Sequence, residues 1–405
     1  MKIGLLICSY NRPDYLRQCL ESLERADLSN VNNVLIIDDA SNNLATKQIL
    51  NESGFTKHYQ TRSGGIKRSM VDGCDLLFNY FHCDVVINLD GDAIVRNDFV
   101  DRLLDIWLDY PNSIITGFHS VTKNKNGSER HRIINENPCC YEKESVGGIN
   151  LLFSKEEYHE HVLPSLLKSG NWDHEMSKSK GGILCVKESV VEHIGLISSM
   201  GHNGDVPDTA ANFKPLALNS ITLIGVDCLG ALERSCKNIK FAGVKLIDRF
   251  DSIEKYSQFI FKELAFYFDT THVLIVQPDG WVVNWEAWRH EWLQYDYIGA
   301  VWFHHRDNHT VGNGGFSLRS RKLQMVLAND PKLQLENDGV INSLAEDHNI
   351  CRIWRKYLEA VYDIKFAPEH VANAFSFEGH GLPSHLRKWN GQFGFHSKYL
   401  MKQFL

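Results

Sequence analysis

The chain of 405 residues has no run of eighteen apolar residues free of charge, which excludes the ordinary pattern of a membrane-spanning helix. A secretory leader pattern is missing too: the apolar stretch from Ile3 to Ile7 is short, and Ser9 to Asp14 break it at once. Ten cysteines are few for this length and none forms a CxxC pair, so a disulfide framework is not expected. Positive charge is in deficit, with 43 Lys and Arg against 50 Asp and Glu and a net charge of -7, so general nucleic-acid binding is not expected. The 19 histidines include no HExxH spacing, which removes a zinc-protease reading. These absences leave a globular protein, 43% hydrophobic and 23% charged, whose length suits two domains. A reducing cytoplasm is the expected compartment, with contact at a membrane surface left open.

What is present is an alternation of strand and helix patterns. The apolar run from Ile3 to Ile7 suits a strand covered on both faces, and Tyr15, Leu16, Cys19, Leu20 and Leu23 have helical spacing. Two more apolar runs, Val34 to Ile37 and Val85 to Leu89, stop abruptly at Asp38-Asp39 and at Asp90-Gly91-Asp92. In an open parallel sheet the carboxyl ends of the strands border the ligand crevice, so these acids are expected to meet at one mouth. A second start follows the polar stretch Thr209 to Asn219, where a strand from Ile221 to Val226 again ends in an acid, Asp227. The order then repeats: a strand ending at Gln277-Pro278-Asp279, a glycine-rich strand at Gly312-Asn313-Gly314-Gly315-Phe316, and the acids Glu346-Asp347. The first half has the matching features in Gly147-Gly148-Ile149-Asn150 and Trp172-Asp173. Two divergent copies are expected, spanning residues 1–213 and 219–405.

The chemistry lies in the acids. Asp90 and Asp92 project to the same side of a strand end and suit one hard divalent cation, Mn2+ or Mg2+, with Gly91 allowing close backbone approach; a plain Asp-Gly turn is the competing account. A carboxylate at Asp38 or Asp39 suits a base imide or ribose hydroxyl, against use as a helix cap. Arg68, in Gly64-Gly65-Ile66-Lys67-Arg68, has the charge for a base or phosphate contact, although such side chains are usually solvated. Asp173 beside the Trp172 indole suits a general base, against a helix cap at Asn171 or Asp173. His193 and His202 are candidates to add a nitrogen ligand to the cation, and His396 is the matching candidate in the second half.

The residues resemble a known family. Cys8-Ser9-Tyr10-Asn11-Arg12, Ile36-Ile37-Asp38-Asp39-Ala40-Ser41 and Asn88-Leu89-Asp90-Gly91-Asp92 are similar to the N-terminal motifs of glycosyltransferase family 2, which has the GT-A fold. The resemblance implies that Tyr10 and Asp39 hold the nucleotide base, that Arg68 helps at the base or diphosphate and that Asp90 and Asp92 form the DxD metal motif; Cys8, which stands where a Thr or Val is more usual, Asp38 and Asp90 complete the expected nucleotide-binding set. It further implies that Gly148 and Trp172 face the acceptor and that Asp173 is the base. From Ile221 onward the chain resembles a glycosyltransferase-like domain family of unassigned function, through Gln277-Pro278-Asp279-Gly280, Tyr295-Asp296-Tyr297-Ile298-Gly299-Ala300, the run from Gly312 to Arg319, and Glu346-Asp347. There the counterparts are Asp227 for the nucleotide, Asp279 with His396 for a metal, Gly314 and Gly315 for the acceptor, and Glu346 with Asp347 for catalysis. Gln277 stands where the motif has a carboxylate.

The expected fold class is α/β with two tandem GT-A-like domains. The expected activity is inverting, metal-dependent transfer of a sugar from a nucleotide diphosphate sugar to a hydroxyl of a glycan or another acceptor, with both halves active or only one. The competing readings are a nucleotidyltransferase that releases pyrophosphate, a C-terminal acceptor-binding module and a transferase acting on modified DNA. The identity of the product and the substrate separates them.

Overall fold

Strands buried on both faces build the centre of each sheet, as their unbroken apolar runs require. The structure is a computed structural model and describes residues 1–124, 127–195, 208–305, 307, 309–339, 344–379 and 382–405. It divides into two units, Met1–Pro215 and Leu216–Leu405.

The strands of the first unit are β1 Ile3–Ser9, β2 Asn33–Asp38, β3 Thr56–Tyr59, β4 Val85–Asp90, β5 Ala93–Val95, β6 Ile115–Thr116, β7 Ile133–Glu136, β8 Cys140–Lys143, β9 Asn150–Ser154, β10 Ile183–Val186 and β11 Val191–His193. Nine of them form one mixed sheet in the order β3-β2-β1-β4-β9-β6-β10-β8-β7, and β5 pairs with β11 apart from it. β1 runs parallel to β2 and β4, whereas β9 lies antiparallel to β4. Alternate residues of β1 enter different cores: Ile3, Leu5 and Ile7 join one cluster, Leu6 and Cys8 the other. Burying such side chains stabilises the sheet by about 1.5–3 kcal/mol each. The helix Pro13–Glu24 starts with Pro at its first turn and turns Leu16, Cys19, Leu20 and Leu23 inward.

In the second unit the strands are β12 Leu216–Val226, β13 Ile239–Ile247, β14 His272–Val276, β15 Tyr297–Ile298, β16 Phe316–Ser320, β17 Ser376–Phe377 and β18 Gly394–Phe395. The main sheet has the order β13-β12-β14-β16-β15. β12 is parallel to β13 and β14, and β16 is antiparallel to β14. The four strands β2-β1-β4-β9 and β13-β12-β14-β16 therefore share order and direction.

Two expectations are corrected here. β12 begins at Leu216, inside the stretch read as polar, because Leu216, Ala217 and Leu218 are buried and pair with the start of β13. The glycines at Gly147–Gly148 and Gly312–Gly315 lie in loops that lead into β9 and β16, with the strands beginning only at Asn150 and Phe316.

Candidate functional site

The carboxyl ends of β1, β2 and β4 open on a cavity of about 540 Å³, lined among others by Cys8, Tyr10, Arg12, Asp39, Asp90, Gly91, Asp92, Gly148, Trp172, Asp173 and His193. The placement follows from local structure. Gly91 N donates to Cys8 O at 3.0 Å, and a Cβ at this position would lie 2.8 Å from that oxygen, so glycine lets the Asp90–Asp92 turn press against the end of β1. Asn88 on β4 donates to Gly148 O at 2.9 Å, and Asn150 on β9 donates back to Asn88 O at 2.8 Å. These amides fix the glycine loop beside the acidic turn.

Asp92 Oδ2 accepts from Arg12 Nη1 and lies 3.4 Å from His193 Nε2. Burial raises the Asp92 carboxyl, but His193 and Arg12 outweigh it and hold it below the usual carboxylate range. Asp90 goes the other way: burial first, then the charges of Asp92 and Asp173, push it well above that range against the pull of Arg12. Two acids on one turn are thus driven apart, one charged and the other inclined to keep a proton. Burial likewise raises the Cys8 thiol, which stays neutral in the cavity wall.

Asp39 is 4% exposed and accepts three hydrogen bonds, from Ser63 Oγ at 2.6 Å, Gly64 N at 2.7 Å and Gly65 N at 2.9 Å. It holds the turn that opens the helix Gly65–Asp75, and Oδ1, with one bond, keeps room for a ligand donor. Asp173 sits in the first turn of the helix Trp172–Lys180, where Asn171 makes no side-chain cap. Its Oδ2 accepts from Gly148 N at 3.2 Å and its Oδ1 from His174 N at 2.8 Å. Trp172 is buried and packs against Gly148, where a Cβ would overlap the indole and lie 2.9 Å from Cε2. Tyr10 is 45% exposed at the rim.

Asp38 and Arg68 are not brought into this cavity. The Asp38 carboxylate is buried and accepts from the amide and hydroxyl of Ser41, which fastens the loop after β2. Arg68 lies along its own helix with Nε 3.3 Å from Asp72 Oδ2. An i,i+4 acid on the same helix captures its charge. His202 lies outside the described residues. The residues that motif reading passed over are Asn88 and Asn150 as loop anchors, Arg12 as the partner of Asp92, and Asp208 in the cavity wall. Three of them left a signal: Arg12 is the last residue of the first motif, directly before the helix proline, Asn88 opens the third motif and Asn150 closes the first glycine run.

The second unit has a cavity of about 390 Å³ beside the ends of β12 and β14, with Asp227, Gln277, Gly314, Gly315, Glu346, Asp347 and His396 in its wall. Asp227 is exposed, and Arg249 Nε stands 3.9 Å from its Oδ2. His396 Nε2 lies 3.2 Å from Asp279 Oδ1. Gly314 N donates to Asp347 Oδ2 at 3.0 Å. Glu346 is buried and paired with Arg319 at 2.8 Å, so it anchors the glycine loop more than it faces solvent. Of the tryptophans between 281 and 292, Trp281 and Trp292 are core.

Among the described residues no group of three or more His, Cys, Asp or Glu side chains converges as a metal cage, and no helix is long and apolar enough to cross a membrane. Residues 5–159 match the family model described as Glycosyl transferase family 2, and residues 240–396 match the one described as Protein of unknown function (DUF5672). No curated protein matches the chain. Solved structures that resemble part of it include GalNAc-T7 with UDP, GalNAc and Mn2+, at 17% identity and a TM-score of 0.41 over 51% of this chain and 45% of that one. Another is S. aureus TarS 1-349 in complex with UDP-GlcNAc, at 13% identity and a TM-score of 0.36 over 49% of this chain and 62% of that one. The chain thus spans less than two thirds of either. The two family matches fall one in each unit, Glycosyl transferase family 2 in the first and Protein of unknown function (DUF5672) in the second.

Proposed function

We propose that the N-terminal unit moves a sugar from a nucleoside diphosphate sugar to an acceptor hydroxyl with inversion at the anomeric carbon. The observation that carries this reading is the meeting of Asp39, Asp90, Asp92 and Asp173 on one cavity at the strand ends. Asp39 and Tyr10 are assigned to the nucleoside and Asp173 to the acceptor, all on the wall of the cavity that holds the Asp90–Asp92 turn. Held by the Gly148 amide, Asp173 takes the proton of the acceptor hydroxyl as that oxygen bonds to the anomeric carbon. The bond from that carbon to the diphosphate oxygen breaks on the opposite face, and the nucleoside diphosphate leaves with the electron pair.

Mn2+ or Mg2+ fits the donor set. Asp92 and His193 supply oxygen and nitrogen, and the Asp90 carboxyl, raised by burial and by the charges of Asp92 and Asp173, would ionise beside a cation. When bound, the cation neutralises charge on the departing diphosphate. Two or three protein groups suffice where phosphates and water complete the shell.

The shared strand order supports reading residues 219–405 as a second GT-A-like domain after a first at 1–213. Ten free cysteines, most of them buried, suit the reducing cytoplasm proposed as the setting. Nucleoside diphosphate release tests the reading: Asp92→Ala and Asp173→Asn should each lose at least about 100-fold in turnover. Unchanged turnover in both removes it, and pyrophosphate as product assigns a nucleotidyltransferase instead.

A further inference from the structure

We propose that the C-terminal unit holds a second site for a nucleoside diphosphate sugar, with a divalent cation on Asp279 and His396. The proposal goes beyond the N-terminal reading and rests on the geometry of the second unit. Asp279 follows β14 as Asp92 follows β4. His396 Nε2 stands 3.2 Å from Asp279, and His193 Nε2 stands 3.4 Å from Asp92. Each histidine comes from a late strand or its end, far along the chain from the acid it meets.

The glycine loops agree as closely. Asp347 Oδ2 accepts from Gly314 N at 3.0 Å, and Asp173 Oδ2 accepts from Gly148 N at 3.2 Å. In both units the other carboxylate oxygen accepts from the amide of the next residue, a histidine, at 2.8 Å. In both, the residue before that aspartate fills the space a Cβ on the glycine would need: Glu346 at Gly314 and Trp172 at Gly148. A sheet can be closed without any of these pairings, so their recurrence points to a shared task.

The cavity wall is built from polar groups. Glu346 is 3% exposed, with its Oε1 paired to Arg319 and the Tyr256 hydroxyl of the same wall beside its carboxylate. Around that buried group Gln277 and Asp347 offer donors and acceptors to the hydroxyls of a sugar. Arg249 at the rim suits the diphosphate, beside Asp227 at the end of β12.

Gln277 stands in the place of Asp90, so this site has one negative charge fewer and should hold its cation more weakly than the first. The test counts Mn2+ bound to the full chain by the EPR signal of free Mn2+, in the presence of UDP, GDP, CDP, ADP and dTDP in turn. With at least one nucleotide a second Mn2+ should bind per chain. Asp279→Asn should weaken that Mn2+ at least tenfold and spare the first, while Asp92→Asn should do the reverse. Gln277→Asp restores the missing carboxylate and should tighten the second Mn2+ about tenfold or more, a result that stands even if Asp279→Asn folds poorly. Binding by Asp279→Asn and Gln277→Asp within twofold of wild type with all five nucleotides overturns the proposal. Loss of the Asp92-dependent Mn2+ alone would count against the N-terminal reading and leave this one standing.

Discussion

Gly148→Ala is the sharpest single perturbation of the N-terminal site, because the same methyl group at Gly147 provides its own control. A Cβ on Gly148 would overlap the Trp172 indole, with Cε2 at 2.9 Å, whereas one on Gly147 meets nothing nearer than Ile149 Cδ1 at 3.8 Å. Neither glycine has a left-handed backbone, so the contrast is one of space and not of strain in φ. Trp172 is buried beneath the loop and cannot swing out, so either the indole or the loop moves by about an ångström. Overpacking of this kind costs about 1–3 kcal/mol of stability. The same movement breaks the bond from Gly148 N to Asp173 Oδ2, a charge-assisted contact worth about 1.5–3 kcal/mol. At roughly 1.4 kcal/mol per tenfold, turnover should fall about 10- to 150-fold. Nucleoside diphosphate release should show this as a loss in kcat with donor KM little changed, since the nucleoside is assigned to Asp39 and its turn and not to the glycine loop. Gly147→Ala should stay within twofold of wild type. Equal kcat and Tm for the two variants would refute the reasoning that Gly148 seats Trp172 and holds Asp173.

The other predictions draw on separate contacts. Asp39→Asn turns an NH2 donor toward groups that already donate, so the Ser63–Gly65 turn should loosen by about 1–3 kcal/mol and nucleoside diphosphate affinity should fall tenfold or more by calorimetry. Unchanged affinity would deny Asp39 a part in the site. Arg12→Gln removes the positive charge competing for Asp92, and Mn2+ should bind about tenfold tighter; weaker binding would show that Arg12 assists the cation. Asp98→Ala strands the buried Arg96, whose Nη2 lies 3.1 Å from Asp98, and should cost about 3–5 kcal/mol in urea unfolding; a loss under 1 kcal/mol would show that Glu188 or water replaces the pair. Burial holds the His272 imidazole below the usual histidine range, against its bond to Tyr295 O. The unfolded chain takes up that proton near pH 6.5, so the stability owed to neutral His272 is whole above about that pH and declines below it. Its replacement by glutamine should narrow the difference in urea midpoint between pH 7.5 and 5.5, and an undiminished difference would exclude it as a source of acid sensitivity.

The strand-end acids were legible because two constraints coincide in one short string. A strand buried on both faces must be apolar throughout, so a carboxylate at its end marks both where burial stops and which way the edge faces. Asp39, Asp90 and Asp92 follow from that rule without any contact information. Asp38 does not, because neighbouring residues on a strand end point to opposite sides and only the loop beyond it decides which one reaches the cavity. That loop belongs to Ser41, and it turns Asp38 inward. Arg68 misled for a related reason: the sequence places it near the turn, but Asp72 one helical turn away captures it. The anchors Asn88 and Asn150 lie 62 residues apart and become partners only when β9 returns antiparallel to β4. An amide in an apolar strand otherwise reads as a defect. The recurrence of Asp347 on Gly314 and Asp173 on Gly148 had a different fate. Its order was visible in both halves, yet the weight it carries comes from two amide distances and from the residue that fills the space above each glycine. Those are properties of backbone approach, to which a one-dimensional pattern is blind. The strongest argument for a second site is therefore one that only the folded chain supplies.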